Sequence, residues 1–323
     1  MDQYTPNVEG CALVFEGGGY RCSYTAGMAD VLLEEGIYFP LVAGISAGAS
    51  NTVNYIAQNR RRLRWALTTI AADPLCGGMR SALLGHGYYN GDYMYQGLID
   101  CEDAPFDFES FSKNKARLRI QAFRPSDGSS VIWDKTSMTD PHRLVERVRA
   151  SSAVPWMMRP DTFVDDEKYL DGGLGKGGGL PLHLAEGAGY KKFLFLATRE
   201  QGYEKEPFDG TMVSIINRLT RNDPITRQAI LTRADRYNAE LARIQELEEA
   251  GACLTVRPDV MPVSSTTVDV DELERSFEMG RAQALRELPR WRQFLFGSPT
   301  AGPSSRTTTD RPLTGGPGYI DLQ

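Results

Sequence analysis

The sequence predicts an α/β protein built on a central, mostly parallel sheet, and three observations carry that expectation. Twice near the start of the chain a short apolar run leads into a glycine-containing turn and then into a segment of helical character: Cys11–Phe15 before Gly17-Gly18-Gly19, and Leu41–Ile45 before Ser46-Ala47-Gly48. Strand, helix, strand, helix is the order of parallel pairing, which requires crossovers. The third observation is Lys192–Ala197, a further apolar run with no polar alternation, as expected of a strand buried on both faces.

The remaining elements follow in order. Tyr24–Glu35 places Ala26, Ala29, Leu32 and Leu33 on one face, and Gly36 stops the helix. Ala47–Arg60 is expected as a second helix. Arg117–Phe123 alternates like a strand, Pro125–Gly128 turns, and Val131–Trp133 returns as the second arm of a hairpin. Thr139-Asp140-Pro141 combines a capping side chain with proline at the first helical position. Ile230, Ala234, Tyr237, Leu241 and Ile244 recur at helical spacing, which predicts a long amphipathic helix over Ala229–Ala250. Leu254–Val256 is the last strand and Asp271–Phe296 a closing helix. Residues 297–323 turn to Gly, Pro, Ser and Thr and are expected to form a disordered tail.

Composition narrows the function. The chain has 323 residues, with 36 Lys and Arg against 42 Asp and Glu. This mildly acidic balance speaks against a nucleic-acid partner. No apolar run is long enough to span a bilayer. The polar N-terminus does not read as a secretory signal. Five scattered cysteines without CxxC spacing predict reduced thiols and a cytoplasmic location.

Three short motifs carry chemistry. Ser46 lies in Gly44-Ile-Ser-Ala-Gly48, after an apolar strand and before a helix. A serine hydroxyl is a poor nucleophile unless it is exposed near a base, and a tight strand-to-helix turn presents it in that way. Gly17, Gly18 and Gly19 offer unobstructed backbone amides of the kind that hold an oxyanion. No Gly-Lys-Ser/Thr follows them, and Cys22 stands where a dinucleotide fingerprint has its last glycine; a plain tight turn is the remaining alternative. Asp171, in Leu170-Asp-Gly-Gly173, is the candidate carboxylate base. The three histidines suit catalysis poorly: His183 follows Asp171 closely at a helix start and is expected to be a surface or packing residue, and His86 and His142 occupy a loop and another helix start.

With these motifs in this order, the chain resembles the patatin-like phospholipases, which share Gly-Gly-Gly-x-Arg, Gly-x-Ser-x-Gly and Asp-Gly-Gly or Asp-Gly-Ala. Ala150–Pro155 (Ala-Ser-Ser-Ala-Val-Pro) is similar to a further block of that family. The resemblance runs over roughly Cys11 to Phe296 and points to a bacterial branch with its own C-terminal extension. It implies a three-layer α/β/α fold and a serine acyl hydrolase of phospholipase A type working through an acyl-enzyme. It gives Ser46 as nucleophile, Asp171 as its dyad partner, Gly17, Gly18 and Gly19 as oxyanion loop and Arg21 as that loop's basic residue. Gly44, Gly48, Gly172 and Gly173 are supporting residues. It implies no metal or organic cofactor, a lipid or acyl-ester substrate, and transient contact with a membrane surface. The rival functions on the same residues are a non-lipid carboxylesterase or thioesterase, and a catalytically silent binding protein.

The expected organisation is a hydrolase domain over 1–296, with its core at about 11–200 and a helical extension at about 210–296, followed by the tail. Three further stretches carry expectations. The glycine-rich Leu174–Leu180 loop is expected to shape substrate access. Asn59–Trp65 is a basic cluster that either attracts anionic lipid or pairs with acidic neighbours as a solvated helix face. Met79–Tyr95, rich in Leu and Tyr, reads equally as a lid or as a packed connection.

Overall fold

The computed structural model describes residues 4–97 and 99–297. Its strands are β1 (Cys11–Phe15), β2 (Leu41–Ile45), β3 (Tyr89–Asn90), β4 (Arg117–Arg124), β5 (Ser129–Asp134), β6 (Met158–Arg159), β7 (Thr162–Val164), β8 (Glu167–Asp171), β9 (Lys192–Leu196) and β10 (Cys253–Val256). Its α-helices are α1 (Cys22–Glu34), α2 (Ala47–Ile56), α3 (Arg60–Trp65), α4 (Met79–Leu83), α5 (Phe108–Lys113), α6 (Pro141–Ser151), α7 (Leu182–Glu186), α8 (Gly210–Leu219), α9 (Pro224–Leu231), α10 (Arg233–Glu249) and α11 (Val270–Phe296). The tail expected at 297–323 lies, from residue 298 on, outside the described residues.

The main sheet runs β10-β9-β1-β2-β4-β8-β7, with β5 paired on β4. The strands from β10 to β4 are parallel; β5 and β8 run antiparallel to β4, and β7 antiparallel to β8. Alternate residues of β1 explain the three layers. Cys11, Leu13 and Phe15 pack on the face covered by α1, α2 and α11, while Ala12 and Val14 pack on the face covered by α7 and α10. Both sets are fully buried, so β1 has no polar position to spare.

One topological detail places the site. β2 pairs with β4 up to Ile45↔Gln121, and β8 pairs with it at Ala122↔Asp171. Since β5 occupies the other edge of β4 at Ala122 and Phe123, β2 and β8 share one edge and meet end to end. The residue that follows β2 and the last residue of β8 are thereby brought together.

Two helices expected as continuous are divided. Gln58 takes φ 55 between α2 and α3, where the Asn59 side chain accepts the Arg62 N–H and starts a new helix. The long C-terminal amphipathic segment breaks at Thr232, between α9 and α10. The β7–β8 hairpin had no sequence signal. Asp165 and Asp166 close it at φ 50 and 64, a primed two-residue turn made without glycine.

Candidate active site

Ser46 sits on the turn between β2 and α2 with φ 58 and ψ −133, a left-handed conformation that a non-glycine residue holds only under constraint. The turn is closed by contact too tight for side chains. A Cβ on Gly44 would lie 2.3 Å from the Gly48 carbonyl oxygen, and one on Gly48 would lie 2.5 Å from that of Phe15. The Ser46 N–H donates to Ser151 Oγ at 3.0 Å.

Ser46 Oγ donates to Asp171 Oδ2 at 2.6 Å. The other carboxylate oxygen, Oδ1, accepts the Gly173 N–H at 2.7 Å. The Asp171 N–H donates to the Ala153 carbonyl at 2.8 Å. The segment Ala150–Pro155 therefore braces both partners, Ser46 through the Ser151 hydroxyl and Asp171 through the Ala153 carbonyl. Gly172 must be glycine for the turn to fit under the sheet edge, since a Cβ there would meet the Gln121 carbonyl at 2.1 Å. Asp171 is buried, and that burial pushes its carboxyl above the ordinary carboxylate range, against the opposing pull of Arg233, the Ser46 hydroxyl and the Gly173 amide.

The glycine loop after β1 lines the same pocket. Its first residue departs from expectation: the Gly17 N–H donates to the Gly179 carbonyl at 3.1 Å, so it is not free to receive an oxyanion. The amides without a partner among the described residues are those of Gly18 and Gly19. Arg21 lies beside them, its Nε buried without a hydrogen-bond partner.

These groups open into a cavity of about 360 Å³. One arm is apolar, formed by Val53, Leu67, Ile70, Leu144, Val148 and Met158. The other carries Arg21, Arg199, Lys205 and Arg233. The last three carry no local signal in the sequence. Arg199 follows β9 and Arg233 sits among helix-surface arginines that look alike without coordinates.

The remaining sequence expectations sort as follows. His183 is buried, with Nδ1 3.0 Å from Glu240 Oε1 and Nε2 2.8 Å from Gln121 Oε1; it does not reach Ser46 or Asp171 directly. The Leu174–Leu180 loop is an internal brace more than a flap. Only Lys176 in it is exposed, and its carbonyls at Leu174, Gly175 and Gly178 accept from Arg236 and Arg233. The basic cluster is a paired one: Arg60 binds Asp30 and Glu34, Arg64 binds Glu274 and Glu278, and Arg62 is buried against the Ala104 carbonyl. Met79–Tyr95 is divided between both readings. Tyr89, Met94 and Tyr95 line the cavity, whereas Met79, Leu83 and Leu84 are exposed.

Residues 13–185 match the family described as patatin-like phospholipase, and that span holds Ser46, Asp171 and the three glycines. The chain belongs to the patatin-like phospholipase family. A second match, over residues 224–296, is to a domain of unknown function, DUF6363, so Arg233 comes from outside the span that matches the patatin-like family. Among solved structures it is similar to VipD from Legionella pneumophila, with 12% identity and a TM-score of 0.42 over 86% of this chain. The match spans 66% of that chain, just under two thirds of its length. No curated protein sequence matches.

Proposed function

We propose that the protein hydrolyses acyl esters of lipids through a Ser46–Asp171 dyad and an acyl-enzyme intermediate. The observation that carries this reading is the 2.6 Å bond from Ser46 Oγ to the buried Asp171 carboxylate, beside two unpartnered amides. Asp171 takes the Ser46 proton as Oγ bonds to the ester carbonyl carbon. The carbonyl oxygen becomes an oxyanion held by the Gly18 and Gly19 amides. Collapse breaks the bond to the alcohol, which leaves with the proton from Asp171. A water molecule then repeats the sequence on the acyl-enzyme and frees the acid. The apolar arm of the cavity is suited to the acyl chain.

The same reading treats 1–296 as one hydrolase unit, with the segment from 210 supplying Arg233 and Ser265 to the pocket wall. No helix among the described residues is long and apolar enough to cross a membrane. The exposed Met79 and Leu83 of α4, with Leu84 just after it, suit transient contact with a lipid surface. The five cysteines are free thiols, which suits a reducing compartment such as the cytoplasm.

The test is hydrolysis of a medium-chain p-nitrophenyl ester by wild type, Ser46→Ala and Asp171→Asn, with fluorophosphonate labelling alongside. Loss of about 10³-fold or more in both variants, and of labelling in Ser46→Ala, is expected. Comparing phospholipids with short esters and acyl thioesters then separates a lipase from other esterases. A wild type that neither turns over nor labels would overturn the reading and leave a binding protein.

A further inference from the structure

The cationic arm of the cavity has a composition that ester hydrolysis does not require. Arg21, Arg199, Lys205 and Arg233 line it together, and no ion pair within 4.0 Å is found for any of them among the described residues. Arg60, Arg64, Arg243, Arg257 and Arg281, by contrast, all meet carboxylates. Two carboxylates stand near the four cations. Asp171 is held by Ser46 and Gly173. Glu16 is buried, with one oxygen on the Thr198 N–H at 2.6 Å and the other on the Tyr237 hydroxyl at 2.9 Å. Four positive groups against two negative ones leave an excess of two positive charges in a partly desolvated pocket. Burial, and then the neighbouring Arg233, Arg199 and Arg21, lowers the Lys205 ammonium to about 8.

Sheet order explains the arrangement. Arg199 follows β9, the glycine loop follows β1 and Ser46 follows β2, so along the carboxyl edge the cations begin on the far side of the glycine loop from Ser46. The apolar arm instead comes mainly from helices α2 (Val53) and α6 (Leu144, Val148), with Leu67 and Ile70 from the segment after α3. An ester held at Ser46 with its acyl chain among those helices directs its alcohol part toward the cations.

We propose that this arm is a binding site for a phosphate bearing two negative charges, so that the preferred substrate is a lipid ester whose alcohol part ends in a phosphomonoester. The assignment rests on the hydrolase reading above and narrows it. A choline head fits poorly. The aromatic faces next to the cations are already covered, Tyr203 by Arg199 at 4.2 Å and Tyr237 by Lys205 at 5.1 Å. Both Glu16 oxygens are likewise engaged. Among the described residues Arg199 and Lys205 donate no side-chain hydrogen bond, so their donors remain for the ligand.

The experiment compares kcat/KM on micelles of dioctanoyl phosphatidate with kcat/KM on dioctanoyl phosphatidylcholine, for wild type, Arg199→Gln and Lys205→Gln. Wild type should favour phosphatidate about tenfold or more, and each variant should lower that ratio by about tenfold. A wild-type ratio near one, or a ratio unmoved in both variants, would overturn the headgroup site while leaving the hydrolase reading intact. Binding is read separately, by calorimetry of Ser46→Ala with dihexanoyl phosphatidate, dihexanoyl phosphatidylcholine and inorganic phosphate. Phosphatidate should bind, the choline lipid should not, and phosphate should compete weakly. Phosphatidate binding without wild-type hydrolysis would retain the site and reject the hydrolase. Phosphate binding as tightly as phosphatidate would overturn the lipid headgroup in favour of a free anion.

Discussion

The His183 ring holds Gln121 from behind the site: Nε2 lies 2.8 Å from Gln121 Oε1, and Gln121 Nε2 in turn donates to the Gly172 carbonyl at 2.8 Å and to that of Lys176 at 3.0 Å. The one buried histidine thus acts on the Asp171 turn through a glutamine, at a remove from the reacting atoms.

This predicts a specific pattern for His183→Ala. The substitution leaves Gln121 Oε1 without its partner inside the protein, which costs about 1–3 kcal/mol of stability, while Glu240 Oε1 keeps the backbone N–H of residue 183. Ester hydrolysis should fall by no more than about tenfold, far short of the loss in Ser46→Ala. Thermal unfolding and steady-state kinetics on one preparation read both quantities.

The tight elbow makes its own prediction. In Gly48→Ala the new Cβ would sit 2.5 Å from the Phe15 carbonyl oxygen and 2.8 Å from that of Glu16, and both acceptors are backbone. Either α2 or the end of β1 must shift, at a cost of about 1–3 kcal/mol. The displaced Ser46 should lose about 10²-fold or more in kcat. Differential scanning fluorimetry with p-nitrophenyl ester kinetics checks both.

The pH profile follows from Asp171. Only the ionised carboxylate can accept the Ser46 proton, and burial raises its pKa above the ordinary 3.8. The acid limb of kcat/KM should therefore fall at a higher pH than a free carboxylate would give, and Asp171→Asn should abolish it. The stability effect has the opposite sign. A carboxyl whose folded pKa exceeds its unfolded one stabilises the fold in its protonated form, fully below the unfolded value, and this is lost as pH rises through the folded value. At neutral pH Asp171→Asn should raise the melting temperature, and the gain should shrink as the pH is lowered.

Cysteine reactivity gives a further check. Cys11, Cys22, Cys76 and Cys253 are buried, and burial pushes each thiol up to about 12. Cys101 alone is partly exposed. Titration with a chromogenic disulfide at neutral pH should find one fast thiol in the folded protein and five after denaturation. Blocking Cys101 should leave fluorophosphonate labelling of Ser46 intact.

Much of the fold was legible because it rests on local signals. Cys11–Phe15 and Lys192–Leu196 are continuous apolar runs, which only a two-sided burial explains, and each glycine motif stands at a strand end. The Ser46 elbow is equally local, since Gly44 and Gly48 lie within a few residues of the serine they free. Helix ends were read less well. The breaks at Gln58 and Thr232 depend on Asn59 and on packing against the 174–180 loop. The β7–β8 hairpin was missed because Asp165 and Asp166 make its turn without the usual glycine.

The sequence by itself determined the residue types of the chemistry: a serine on a strand-to-helix turn, a glycine loop, and an acidic turn in a chain poor in histidine. Only the tertiary structure decided which of these groups are free and which face one another. The Gly17 amide is spent on the Gly179 carbonyl, a partner far along the chain. Ser46 meets Asp171 because β2 and β8 end head to head on the same edge of β4. Arg199, Lys205 and Arg233 become one cationic arm because β9 and α10 bring them to the same cavity. Each of these depends on strand order and long-range register, which no local pattern of side chains encodes.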